Sequence, residues 1–279
     1  MKKILITGSQ GFIGKNLIKN LTNEKKFEIY ATCRKKFIKN YKNVKWIKVK
    51  NLQSDSINKF KYDILVDLAW YDLDNYNSQT HIKKQVTEHF VFYKKLLKKN
   101  KKINIFSFGT CLEYGLREGK LVENMISDPK INYAKGKDIL RKKIMYLKKK
   151  YDFSINWLRL FYIYGEGQEK RKIYSQFINA IKSRKKFFIM SKGTQKRDYI
   201  HIKSVVKIII ILIRKNVNAG IINLCTGNSI RVIDLVRKWK KKFKSNIKLK
   251  IGSLDIPNYE PQIFYGSVKK LNNIIKKNE

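Results

Sequence analysis

Seven residues into the chain, a short apolar run meets a glycine-rich turn. Lys3–Thr7 leads directly into Gly8-Ser9-Gln10-Gly11-Phe12-Ile13-Gly14, and apolar residues at Phe12, Ile13, Leu17, Ile18 and Leu21 then recur at helical spacing. A strand, a tight turn and a helix in that order leave few options for the backbone. Gly8 permits the turn, Gly11 lets a pyrophosphate approach the main chain, and Gly14 lets helix and strand pack closely. The uncapped helix start then offers N–H groups and a partial positive charge to phosphate. A glycine pattern alone is weak evidence, but the strand before it and the helix after it are the context that a dinucleotide site needs.

The same alternation continues. Strands are expected at Phe27–Thr32, Val44–Val49, Asp63–Leu68, Ile103–Phe108 and Ile155–Leu160, with long helices at His81–Leu97 and Asn132–Lys149. Strands such as Asp63–Leu68 are almost continuously apolar, as befits parallel strands buried on both faces. Strand and helix in strict succession predict an α/β chain with a Rossmann-type doubly wound parallel sheet. The later segments are less regular. Helices are expected at Tyr174–Ser183, Val205–Arg214, Val232–Phe243 and Val268–Ile275, and strands at Lys186–Met190 and Ile221–Cys225. The expected division is a dinucleotide-binding domain of residues 1–163 plus about 200–225. A smaller mixed α/β substrate-binding lobe takes about 164–199 plus 226–279.

Composition removes other classes. The 63 Lys+Arg against 21 Asp+Glu give a formal charge of +42. These basic residues are spread along the whole length, which reads as a lysine-coated surface and not as a specific nucleic-acid site. Such a surface attracts dianionic substrates and binds polyanions weakly at low salt. Cys33, Cys111 and Cys225 fit neither a zinc site nor a paired framework, and His81, His89 and His201 lack metal-ligand spacing, so no metal is expected. The longest apolar run, Ile208–Ile213, is far shorter than the ~20 residues a membrane span requires. A cytoplasmic protein with no membrane partner is expected.

The spacing TGxxGFIG resembles the extended short-chain dehydrogenase/reductase family, which includes the NAD-dependent epimerases and dehydratases. Further segments support the resemblance over most of residues 1–265: Ser107–Gly115 (SFGTCLEYG), Tyr133-Ala134-Lys135-Gly136-Lys137, Leu158–Gly165 (LRLFYIYG) and Gly193–His201 (GTQKRDYIH). Tyr133 and Lys137, four apart on one helical face, fit YxxxK. The resemblance assigns them and Thr110 as the catalytic set. Tyr133 exchanges the proton, Lys137 depresses its pKa and holds the nicotinamide ribose, and Thr110 hydrogen-bonds the reacting oxygen. Dehydratases of the family carry Asp-Glu after that Thr. Cys111-Leu112 stands here instead, which argues against water elimination and leaves Cys111 as a pocket-lining thiol.

The resemblance also implies the cofactor contacts: Gly8, Gln10, Gly11, Phe12, Ile13 and Gly14 in the turn, the strand end Leu68-Ala69-Trp70, and Asn51-Leu52 in place of an Asp-Leu element. Asp67 stands where the family has histidine. After the second strand, Arg34-Lys35-Lys36 replaces the carboxylate that binds the ribose of NAD. A guanidinium there suits a 2′-phosphate, so NADP is preferred, with NAD as the alternative. For substrate, Arg197 is the expected diphosphate ligand, with Thr110, Cys111, Gln168, Ser175 and Gln176 lining the site, and His201 is expected to be structural.

Taken together the motifs imply an NADP(H)-dependent 4-keto reductase of a nucleoside-diphosphate 4-keto-6-deoxyhexose, in surface-polysaccharide sugar biosynthesis. An epimerase with tightly held NAD and a non-catalytic dinucleotide binder are the alternatives. A homodimer through the two long helices is the expected assembly.

Overall fold

The computed structural model describes residues 1–34, 41–255 and 261–276. Lys35 and Lys36 lie outside them. Seven strands form one parallel sheet: β1 (Lys2–Thr7), β2 (Phe27–Cys33), β3 (Val44–Lys48), β4 (Ile64–Asp67), β5 (Asn104–Thr110), β6 (Ser154–Leu160) and β7 (Gly220–Leu224). Their spatial order is β7-β6-β5-β4-β1-β2-β3. The order reverses between β1 and β4, which pair in register from Ile4↔Ile64 to Thr7↔Asp67. At such a switch point two crossovers leave the sheet in opposite directions and open a crevice beyond the strand C-termini.

Side-chain alternation explains the continuous apolar strands. Ile4 and Ile6 point to one face and Leu5 to the other, and each face has its own core. On the first, α1 (Phe12–Leu21) and α5 (Ile202–Arg214) cover Ile29, Val66, Phe106 and Leu158. Helix α5 buries Ile202, Val205, Val206, Ile209, Ile210, Leu212 and Ile213. Each such side chain contributes roughly 1.5–3 kcal/mol when fully removed from water. On the second face, α2 (Val86–Lys99) and α3 (Asn132–Leu147) bury Phe92, Tyr93, Leu96, Leu140 and Ile144 against Leu65, Ile105 and Trp157.

A third core lies outside the sheet. Helices α4 (Ile173–Lys182) and α6 (Val232–Lys242) pack Phe177, Val236 and Trp239 against Phe188 and Met190 of a two-stranded ribbon, Phe187–Ser191 with Lys248–Leu254. Short pairings stitch this region to the sheet. Tyr162–Tyr164 runs parallel to Tyr199–His201, and Gly119–Leu121 runs parallel to Phe264–Gly266 just before α7 (Lys269–Lys276).

The Rossmann-type architecture expected from the sequence is present, but its second long helix begins differently. His81–Gln85 forms a π-helical turn, and α2 proper starts at Val86. Widened turns of this kind are rare and cluster at functional sites.

Candidate active site

The glycine turn is built around one close approach. Gly8 has φ +60°, and a Cβ there would lie 2.5 Å from the carbonyl carbon and oxygen of Leu68 and 2.7 Å from the Ala69 nitrogen. The turn therefore presses its backbone against the end of β4. Gly14 is equally confined, because a Cβ would come 2.5 Å from the Gly8 oxygen and 2.7 Å from the Ser9 Cα. Gly11 is the N-cap of α1, and no side chain caps it. Phe12 and Ile13 open the helix against the core. Glycines that pack backbone on backbone and a helix start left uncapped are the cradle that a pyrophosphate requires. The residues thus fit a dinucleotide.

Around the cradle, Gln10 Oε1 accepts from the Arg34 N–H (3.2 Å), tying the turn to the end of β2 and leaving the Arg34 side chain exposed. Asn51 Oδ1 accepts from the Gln53 N–H (2.9 Å) in a local turn, and Leu52 packs on the core beneath α2. At the end of β4 the Asp67 carboxylate is buried. It accepts from the Thr7 hydroxyl (2.5 Å) and from the Tyr93 hydroxyl (2.7 Å), and His89 Nε2 lies 3.8 Å away. Burial drives the His89 pKa down, with Asp67 opposing. His89 also meets the Ala69 carbonyl, which holds the strand end rigid.

Thr110, Tyr133 and Lys137, the residues that the resemblance assigns as catalytic, lie near this strand end. Thr110 is the last residue of β5 and caps the following 3₁₀ turn. Its hydroxyl accepts from the Leu112 N–H (3.3 Å), while its own N–H donates to Glu113 Oε1 (2.9 Å). Tyr133, in the first turn of α3, faces Thr110, whose hydroxyl acts to lower the phenol pKa against burial. Lys137, one turn on, is buried with its Nζ 3.9 Å from the centre of the Trp70 ring. The Trp70 and Tyr133 rings stand 6.5 Å apart, edge to face. One indole thus touches both helical members of the set, two residues after the Leu68 carbonyl that abuts Gly8.

Their electrostatics depart from the sequence expectation. Lys137 is not what governs the Tyr133 phenol. Burial, followed by Tyr76, Glu113 and Cys111, holds it well above its usual pKa, and only the hydrogen bond to Thr110 acts the other way. The ammonium is turned onto the Trp70 face, and desolvation outweighs charge. Burial likewise lowers Lys137 to about 8, against the pull of Asp67 and Glu113. At neutral pH Tyr133 is therefore protonated and Lys137 mostly charged.

A family model described as "NAD dependent epimerase/dehydratase family" matches residues 4–225, from β1 through the end of β7. The chain belongs to the NAD-dependent epimerase/dehydratase family. Among its relatives is the dTDP-6-deoxy-L-talose 4-dehydrogenase (NAD(+)) of Aggregatibacter actinomycetemcomitans, 24% identical over 272 residues that cover 95% of this chain and 99% of that one. The GDP-6-deoxy-D-talose 4-dehydrogenase of the same organism is 25% identical, covering 98% and 91%. Among solved structures, the UDP-glucuronic acid 4-epimerase of Bacillus cereus in complex with UDP-glucuronic acid and NAD superposes with a TM-score of 0.82 at 20% identity, over 98% of this chain and 93% of that chain. That likeness shows the shared fold.

In this family member most of the remaining sequence-predicted positions lie between Gln168 and His201. Gln168 Nε2 donates to the Ile163 carbonyl (2.7 Å), and its Oε1 is buried without a hydrogen-bond partner. Ser175 donates to the Gln168 carbonyl (2.8 Å). Gln176 Nε2 donates to the Arg171 carbonyl (2.8 Å), which ties its own helix start. Arg197 is buried over the Phe264 ring (4.7 Å), with Nη1 on the Lys196 and Gln262 carbonyls (2.9 and 3.0 Å). Cys111 is buried beside Tyr133. His201 caps α5 by accepting from the Lys203 N–H (3.2 Å), a structural role as expected.

Three residues at the site went unremarked in the sequence. Glu113 is fully buried, and it receives the Trp157 indole (3.0 Å) and Arg159 Nε (2.9 Å) besides the Thr110 N–H. It fixes where Thr110 stands. Tyr76 stacks on Tyr133 with centroids 5.0 Å apart, and its carbonyl accepts from the Tyr133 N–H (2.8 Å). His81 lies 5.5 Å from the Tyr133 ring. The glutamate of a "xxLEYG" turn, a loop tyrosine and the first residue of a helical turn have no spacing signature of their own. Only the folded chain brings them to the site.

Among the described residues there is no group of three His, Cys, Asp or Glu side chains able to hold a metal ion, and no helix long and apolar enough to cross a membrane.

Proposed function

We propose that the chain reduces the 4-keto group of a nucleoside-diphosphate 4-keto-6-deoxyhexose with NADP(H) as coenzyme. The observation that carries this is the protonated Tyr133 phenol, beside Thr110 and one helical turn from Lys137, at the mouth of the Gly8–Gly14 cradle. The two named relatives are 4-dehydrogenases of 6-deoxytalose nucleotides. A 4-dehydrogenation run backwards is a 4-keto reduction.

When bound, the nicotinamide supplies the hydride. The chain's own residues do the rest. Tyr133 passes its proton to the carbonyl oxygen as negative charge develops there, and Thr110 hydrogen-bonds the same oxygen, which lowers the cost of that charge. Lys137, one helical turn from Tyr133 and with its charge favoured by Asp67 and Glu113, is assigned to the nicotinamide ribose. Cys111 and Leu112 supply neither acid nor base, which supports reduction over water elimination. On the substrate side we assign the diphosphate to Arg197, and the nucleotide to Gln168 together with Ser175 and Gln176 of the first turn of α4; the Gln168 Oε1 is buried without a hydrogen-bond partner.

For the coenzyme, Arg34 stands where a carboxylate would meet the ribose hydroxyls of NAD. A cavity of about 330 Å³ opens beside Ser9 and Gln10, with Lys15 and Lys19 on its wall. Basic groups on both sides of the turn support a 2′-phosphate. The test is a screen of nucleoside-diphosphate 4-keto-6-deoxyhexoses with NADPH and with NADH. Each turnover should consume one added NADPH, and Arg34→Ala should raise the KM for NADPH by at least 10-fold while leaving NADH nearly unchanged. Turnover with no added coenzyme would establish the epimerase instead, and equal losses for both coenzymes would remove the 2′-phosphate assignment.

The proposal includes a homodimer through α2 and α3. Met145 and Tyr146 stand exposed near the end of α3, an apolar surface that such packing would cover. Light scattering should then give twice the 33.2 kDa chain mass, and a monomer mass would contradict it.

A further inference from the structure

We propose that Trp70 is the positioning residue for Lys137, and that His81 holds Trp70 in place for that task. This deepens the catalytic assignment of Lys137 and rests on it.

The observations form one chain of contacts. The Lys137 ammonium lies 3.9 Å from the centre of the Trp70 ring, within cation–π range and desolvated, the condition under which that attraction is largest. No hydrogen bond between Lys137 Nζ and a described residue fixes it more closely. The ring is itself fixed at its polar end. Its indole N–H donates to His81 Nδ1 (3.2 Å), and the two rings are stacked, 12° from parallel with centroids 6.3 Å apart. His81 is fully buried, and Nδ1 also receives Gln85 Nε2 (3.0 Å). With Nδ1 accepting, the ring proton sits on Nε2 and points to the Asn75 carbonyl (3.0 Å). Gln85 completes the brace, taking the Tyr71 N–H on Oε1 (2.9 Å) and donating to the Tyr71 carbonyl (3.0 Å). The residue next to Trp70 is thereby clamped on both sides.

The π-helical turn explains how one short segment does this. His81 and Gln85 are its first and last residues, and both side chains face the loop after β4. Catalytic helix α3 docks on the same turn. Gly136, the residue before Lys137, would place a Cβ 2.6 Å from the His81 carbonyl oxygen. A larger residue there would push Lys137 away from the ring. Turn, indole and ammonium are therefore set by one rigid arrangement.

The charged and titratable groups facing Lys137 come from every packed element: Asp67 at the end of β4, Glu113 in the turn after β5, His89 on α2 and Tyr133 on α3 itself. His89 and Tyr133 also touch the Trp70 ring (centroids 4.8 and 6.5 Å away), so the variant that keeps an aromatic face at position 70 is the control that isolates the ring's effect on Lys137.

The experiment needs no substrate. Protein labelled with ¹³C at the lysine ε carbon is titrated by NMR. The resonance with a midpoint near 8 is assigned to Lys137 by its loss in Lys137→Met. Trp70→Leu, which keeps the site apolar but removes the π face, should move that midpoint down by about one unit. Trp70→Phe should restore most of the shift, and His81→Leu, which frees the indole, should give a smaller shift in the same direction. An unchanged midpoint in Trp70→Leu overturns the proposal, as does an equal shift in the Leu and Phe variants. The catalytic assignment stands or falls separately, on whether Lys137→Met abolishes turnover in the coenzyme screen.

Discussion

Tyr133→Phe should lower kcat by about 10²–10⁴-fold, the range that a positioned proton donor contributes. Coenzyme affinity should survive within a few-fold. The change removes one oxygen and leaves the ring that stacks on Tyr76 and abuts Trp70 and His81. Folding should be nearly unaffected for the same reason. The native phenol carries its proton at neutral pH, and burial together with Tyr76, Glu113 and Cys111 holds it there more firmly. The defect should therefore be one of proton supply: it should appear in reduction at every pH from 6 to 9 and persist at saturating sugar nucleotide. Turnover within 3-fold of the wild type, measured as NADPH oxidation, would remove Tyr133 from the mechanism.

The second large effect is expected at Gly8. Gly8→Val meets two independent penalties. Its φ of +60° is strained for any β-branched residue, and the new Cβ would lie 2.5 Å from two backbone atoms of Leu68. Strain and overpacking each cost about 1–3 kcal/mol, so a loss of roughly 2–6 kcal/mol is expected in denaturant unfolding. That approaches the whole stability of many domains, about 5–15 kcal/mol. Gly220→Val separates the two penalties, because Gly220 has φ +65° and nothing within 4 Å of the added Cβ. It should show the strain alone. Gly11→Ala, whose Cβ would meet only the Gly8 oxygen at 3.2 Å, should fold normally and lose mainly coenzyme affinity. If Gly8→Val and Gly220→Val were equally stable, the close approach of turn to strand would not be a real constraint.

The features legible in the sequence were those with a local cause. The strand–turn–helix at residues 3–21 follows from glycine spacing and 3.6-residue periodicity, and the continuous apolar strands follow from burial on two faces. The local placement of the proposed trio was legible because Tyr133 and Lys137 share one helix and Thr110 ends a sheet strand. What was hidden depends on tertiary packing. The ribbon strand Lys248–Leu254 is largely exposed, so its short Lys-Leu-Lys-Ile alternation marks no buried face. The π-helical turn at His81–Gln85 reads as ordinary helix because a single widened turn barely disturbs the period. The raised proton affinity of Tyr133 went the opposite way from expectation, because YxxxK spacing puts Lys137 on the right face and says nothing about the indole that draws its ammonium aside.

The most direct measurement is the isotopic form of the coenzyme screen. NADPH carrying deuterium on the transferable position of nicotinamide C4 is supplied with each 4-keto sugar nucleotide, and the products are weighed by mass spectrometry. The account predicts a product with one deuterium at sugar C4 and one equivalent of NADP⁺ formed. A product without deuterium, or no product from any 4-keto-6-deoxyhexose nucleotide, would contradict it.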